Sequence, residues 1–165
     1  MPTTNNRFTP AGFLKIMSFL HLGIAVTPIV LGILFYTQSQ GARLNFDNSG
    51  DMFMAIVPVV AIGSIFIGDF IFRKMLGNLP KGSSLRDKLA KFQTASMIKF
   101  ALLEGASLFA IVIFSNTQNL TYIIIGAFLI FYLLLQRPTK DKIERLLDLR
   151  GAEKAKFDQL NEPLD

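Results

Sequence analysis

Residues 97–116 read MIKFALLEGASLFAIVIFSN. From Met97 to Phe114 the only charged residues are Lys99 and Glu104, set among apolar, small and hydroxyl side chains. At 1.5 Å per residue this stretch is about 27 Å long, close to the roughly 30 Å hydrocarbon thickness of a bilayer. It predicts a membrane-spanning helix. A carboxylate inside such a helix is costly, so Glu104 is a candidate functional residue from the outset.

Three more apolar runs surround it. Leu120–Leu135 follows the uncharged connection Ser115–Asn119, with Tyr122 and Tyr132 near its two ends, a placement that suits a membrane interface. Asn119-Leu120-Thr121 matches a glycosylation sequon but abuts the membrane, and is read as coincidental. Upstream, Ile16–Tyr36 and Met52–Phe72 are each 21 residues long. The first is too long for the core of a signal peptide and predicts a retained span, kinked at Pro28. The fold expected is all-α: a polytopic domain over 13–136 with spans at about 16–36, 52–72, 97–114 and 120–135. Residues 1–12 predict a flexible polar tail, and Asp47-Asn48-Ser49-Gly50 a turn. Ser84 followed by Asp87 predicts a helix start that runs on into the third span.

After Arg137-Pro138 the character changes. Residues 137–165 hold seven basic and seven acidic side chains. Thr139 is a natural N-cap, Ile143, Leu146 and Leu147 line one side, and Lys140–Glu144 and Asp141–Arg145 are spaced as i,i+4 ion pairs. This predicts a short amphipathic helix to about Leu149, a break near Gly151 and a second short helix to Leu160. The apolar line is too short to insert, so it should dock on the membrane surface or on a partner.

Composition agrees with this layout. The 165 residues are 51% hydrophobic and only 18% charged, against roughly 25% charged in soluble domains. The net charge of +5 sits in segments flanking the spans, without the basic stripe and interleaved aromatics of a nucleic-acid surface. There is no cysteine and one histidine, His21, which argues against thiolate chemistry, metal sites and bound cofactors. No nucleotide-binding glycine loop or paired aqueous carboxylates point to an enzyme.

Charge also predicts orientation. Residues 1–15 carry two cations and no acid, 37–51 one cation and two acids, 73–99 seven cations and one acid, and 115–119 no charge. The positive-inside rule then places both tails and the 73–99 segment on the cytoplasmic side of the membrane. Lys15, Arg73, Lys99 and Arg137 become interface anchors. His21, Asp69 and Glu104 each lie roughly 6–9 Å deeper than the nearest anchor, at a depth where three helices could share one polar pocket. Asp69 has Arg73 at i+4 as a local partner, and His21 can bond Ser18 or a backbone carbonyl. Glu104 has no cation at i±3 or i±4. Ser64 with Gly68, and Ala101 with Gly105, form small-xxx-small faces for helix packing.

The run ALLEGASLFAIVIF, residues 101–114, resembles the carboxylate helix of the membrane-rotor proteolipid of rotary ATPases. That resemblance covers one helix and implies a coupling-ion role for Glu104; the glycine repeat of that family's other helix is absent from residues 52–72. In layout the chain is similar to small four-helix bacterial inner-membrane proteins with an Arg-Pro-Thr-Lys-like exit, here Arg137 to Lys140, which brings no activity with it. Two functions remain open at this point. One is a non-enzymatic subunit or accessory protein working through the bilayer, protein partners or self-association. The other is a small proton- or ion-coupled transporter built on Glu104, Asp69 and His21.

Overall fold

The computed structural model describes residues 8–46, 50–80 and 82–164. The predicted tail residues 1–7 and most of the Asp47–Gly50 turn lie outside them, although Gly50 is described, with φ of 99°. The chain is all-helical: α1 (Pro10–Gln38), α2 (Phe53–Gly77), α3 (Leu85–Thr117), α4 (Leu120–Leu135), α5 (Lys140–Leu146) and α6 (Gly151–Asp158). Helices α1, α2 and α3 are each long and apolar enough to cross a membrane. Helix α4 has 16 residues, about 24 Å of rise, and qualifies only together with α5, to which it is bent by 82°. The protein is therefore a polytopic all-α protein with three to four candidate spans.

Local chemistry sets the helix limits. Thr9 caps α1 by accepting from Gly12 N, with Pro10 at the first helical position, where its missing N–H costs nothing. Helix α1 thus starts inside the segment expected to be tail, and it continues through Pro28. Ser84 caps α3 as its spacing predicts, accepting from Asp87 N and donating to the Asp87 carboxylate. From there α3 runs unbroken through the interfacial turn into the third span.

Helix α3 is the central post and packs against α1, α2 and α4. Its fully buried residues include Leu89, Ala95, Leu103, Ala110, Ile111 and Phe114. Small residues let the neighbours close in. A Cβ on Gly68 of α2 would stand 3.3 Å from Lys99 Cγ, and one on Gly126 of α4 would stand 3.1 Å from Ile111 Cγ1 and 3.4 Å from the Ser107 carbonyl. The outer faces of α1, α2 and α4 remain apolar and exposed, with Phe19, Phe66, Ile33 and Phe131 among them. Apolar surface on this scale belongs against lipid.

The two ends of the bundle differ. At one end the α1–α2 loop is stitched to the α3–α4 connection. Arg43 and Asn119 form a backbone bridge, and Asn119 Nδ2 donates to the Asn45 carbonyl at 2.8 Å. Tyr122, with no exposed surface, donates its hydroxyl to the Asp51 carboxylate. Tyr122 is therefore a buried tie rather than the interfacial ring expected. Asn119 is a buried cap of α4, which agrees with reading its sequon as coincidental.

At the opposite end the chain after α4 folds back as a lid. Ile143, Leu147, Leu149, Phe157 and Leu164 are buried in one cluster with Phe13, Met17, Leu85, Leu89 and Phe92. Lys88 reaches Glu153 at 2.6 Å, and Lys140 reaches Asp158 at 2.5 Å. Backbone bonds tie Ala11 N to the Leu160 carbonyl and Leu164 N to the Phe8 carbonyl. The expectation that Ile143, Leu146 and Leu147 dock on a membrane or partner is thus corrected: Ile143 and Leu147 are spent inside the molecule, and Leu146 alone stays 44% exposed. The reason is tertiary, because the ends of α1 and α3 offer the tail an apolar surface that only the folded chain assembles.

Phe157→Ala should release this lid. Removing a fully buried aromatic costs about 3–5 kcal/mol, read as a lower midpoint of thermal unfolding in detergent. Trypsin should then cut at Lys154 and Lys156 while the helices 10–135 stay protected.

Candidate functional site

The polar groups of the spans collect where α4 ends. Because α4 stops at Leu135, its last carbonyls lack helical donors and need others. The Leu133 carbonyl accepts from Gln136 N and, at 2.8 Å, from Nε2 of His21 on α1. A carbonyl only accepts, so His21 carries its proton on Nε2. The His21 ring also stands edge-on to Phe100, with centroids 5.0 Å apart. Lys142 of α5 donates to the carbonyls of Leu135 (2.6 Å) and Arg137 (3.3 Å). Burial, with the nearby charges of Lys99 and Arg145, holds the Lys142 ammonium below the usual lysine range.

Lys99 sits beside this terminus. Its ammonium is 2.5 Å from the Asp69 carboxylate of α2 and donates to Gln136 Oε1 at 3.1 Å. It also lies over the rings of Phe72 and Tyr132, at 5.5 and 6.0 Å from their centroids. The Tyr132 hydroxyl faces the second Asp69 oxygen at 3.4 Å. Lys99 is only 8% exposed, so it is not the snorkelling anchor its position suggested. A carboxylate at matching depth on α2 makes burial cheaper than reaching for the headgroups. Asp69 correspondingly pairs across helices and not with Arg73. Lys15, Arg73 and Arg137 are exposed, as anchors are.

The three residues expected to share a pocket separate in space. Asp69 lines a cleft of about 270 Å³ together with Lys99, Tyr132, Gln136, Lys142 and Arg145, among others. His21 stands behind the Phe100 wall of that cleft. Glu104 lines neither and is half-buried; its carbonyl accepts from the Ser107 hydroxyl at 2.8 Å, but its carboxylate has no ion-pair or hydrogen-bond partner among the described residues. The small faces also divide. Ser64 and Gly68 are buried in the bundle, whereas Ala101 and Gly105 are exposed along an open groove of about 480 Å³ between α2 and α3. Sequence reasoning missed Gln136, Tyr132 and Lys142. Their signal was the early end of α4, where unmet carbonyls require donors from elsewhere.

A scan against protein-family models, a search of characterised proteins and a search of solved structures each return no match. Glu104 and the cleft are therefore read from their own surroundings.

Asp69→Asn should strand the Lys99 charge in a nearly dry site and lower stability by about 3–5 kcal/mol. The double variant Asp69→Asn/Lys99→Met removes both charges and should recover most of that loss. Equal thermal midpoints for the single variant and the unaltered protein would show that the pair is not coupled.

Proposed function

We propose that this chain is a non-enzymatic subunit or accessory protein of the bacterial cytoplasmic membrane. Both tails face the cytoplasm, and a helix of another chain seats along α3. The observation that carries this reading is the open groove on the central helix. Much of α3 is buried under α1, α2 and α4, but one stripe, including Ile98, Ala101, Gly105 and Val112, is exposed, and on it Ala101 and Gly105 face outward one turn apart with Gly63 and Val60 of α2 forming the opposite wall. Small residues at this spacing let a further helix backbone come close. Glu104 does not line the groove and lies about 60° around α3 from Ala101, on the side away from α2; a helix lying over the exposed stripe would come beside its carboxylate, which has no partner among the described residues. A donor on the incoming helix would satisfy it.

The charge distribution supports the orientation. The lid, the start of α3 and the end of α2 gather the cations at one end, while Arg43 is the sole cation of the segments 37–51 and 115–119 at the other. The second reading, proton- or ion-coupled transport, rests on Glu104 alone once Asp69 and His21 are occupied by Lys99 and Leu133. It requires Glu104→Gln to abolish transport in a protein that remains folded and associated.

Gly105→Leu tests the subunit reading. Nothing lies within 4 Å of a Cβ at this position, so the isolated fold should be unaffected while the groove is filled. Disulfide or bifunctional cross-linking from Ala101→Cys in native membranes should capture a companion chain or a second copy, and Gly105→Leu should abolish that product. An unchanged cross-link in the Leu variant would overturn the docking site. For orientation, Asn116→Cys should react with an impermeant thiol reagent in intact cells and Ser83→Cys should not; the reverse pattern would invert the topology.

A further inference from the structure

The cleft at the end of α4 holds more positive charge than its own chain neutralises. Four cations line it, Arg73, Lys99, Lys142 and Arg145, against one carboxylate, Asp69. Lys99 takes Asp69 for itself. Lys142 is spent on neutral carbonyls, so its charge remains uncompensated. Arg73 and Arg145 each have an acid at i−4, Asp69 and Asp141, and neither arginine forms an ion pair among the described residues. Arg145 also borders Glu144 and Asp148 on its far side. Those acids are engaged elsewhere, Glu144 by Lys140 and Lys154, and Asp148 by Arg150.

The geometry grades from base to mouth. Lys99 is buried at the base, Lys142 is half-buried, and Arg73 and Arg145 are exposed at the rim. Fixed cations converging on an unfilled concavity suit one compact, multiply charged acceptor. Guanidinium groups match phosphate oxygens in planar, bidentate geometry. The surroundings favour a ligand with an apolar body: Phe66 and Phe70, both strongly exposed, continue along α2 from Arg73, and the exposed Leu146 lies at the rim.

We infer that this cleft binds the phosphate of an anionic phospholipid headgroup, with Arg73 and Arg145 gripping it from the rim, Lys142 behind them, and the acyl chains lying on α2. Charged lipid thereby bridges α2 to the lid, since Arg73 and Arg145 belong to different parts of the chain. Burial first, and then the charges of Lys99 and Arg145, hold the Lys142 ammonium below the usual lysine range, and an anion beside it would offset both. The site is independent of any helix in the α2–α3 groove.

Native mass spectrometry of the full chain in detergent, with phosphatidylglycerol or phosphatidylcholine added, tests the inference. The unaltered protein should retain phosphatidylglycerol at least tenfold better than phosphatidylcholine. Arg73→Gln/Arg145→Gln should lose that preference, while Lys15→Gln/Lys74→Gln, which removes two exposed cations outside the cleft, should keep it. Both arginines are exposed and form no ion pair among the described residues, so the doubly substituted variant should unfold at the unaltered temperature without lipid. Equal retention of the two lipids, or a preference that survives in the arginine variant, would overturn the site. Inorganic phosphate that displaces phosphatidylglycerol and raises the unfolding temperature as much would overturn the lipid assignment in favour of a soluble phosphate compound.

Discussion

A lysine ammonium in the membrane-spanning part of a helix bundle must find a partner or drag the helix end to the surface, and Lys99 finds several. Asp69 supplies the charge, Gln136 a neutral acceptor, and Phe72 and Tyr132 the faces of their rings. These groups come from α2, from α4 and from the residue just beyond α4. One buried charge therefore sets the relative depth of three helices. The close fit of Gly68 against the Lys99 side chain belongs to the same arrangement, since a larger residue would push α2 away from its ion-pair partner.

The shortness of α4 follows from the same end of the molecule. A 16-residue helix leaves its final carbonyls exposed to whatever lies below, and bare carbonyls at that depth are costly. His21 and Lys142 supply the missing donors from α1 and α5. The sharp bend into α5 is thus held by hydrogen bonds, and the helical lid becomes continuous with the bundle core. In the sequence the tail reads as a charged amphipathic segment that should dock on the membrane surface or on a partner. In the fold its few apolar residues complete the cluster under Phe13 and Leu89.

What was legible in the sequence was whatever depends on near neighbours. The apolar runs marked the helices, the Ser84–Asp87 spacing marked the start of α3, and Thr139 marked the start of α5. A local rule also misled. The i,i+4 spacing offered three pairs: Lys140–Glu144 forms, at 3.7 Å, Asp141–Arg145 does not, and Asp69 meets not Arg73 but Lys99 on the facing helix, which is better shielded from water. Tyr122 shows the same limit: an aromatic ring near a helix end fits the interface pattern, and only the approach of the α1–α2 loop brings Asp51 to its hydroxyl. Glu104 was singled out for having no local cation, and among the described residues none forms an ion pair with it from a distance either. Its isolation is a property of the folded chain as well as of the sequence.

The backbone bonds from Ala11 to Leu160 and from Leu164 to Phe8 join segments about 150 positions apart in the chain. During synthesis the residues around Phe13 and Met17 leave the ribosome well before the residues that cover them. Until the residues from Ile143 to Leu164 are made, the start of α1 waits with this side uncovered. Its burial is completed only after all the helices between have been made. A nascent chain that stalls before Phe157 would leave this apolar surface without its lid, so the burial of Phe13 and Met17 reports that the segment 143–164 has been made and has folded back.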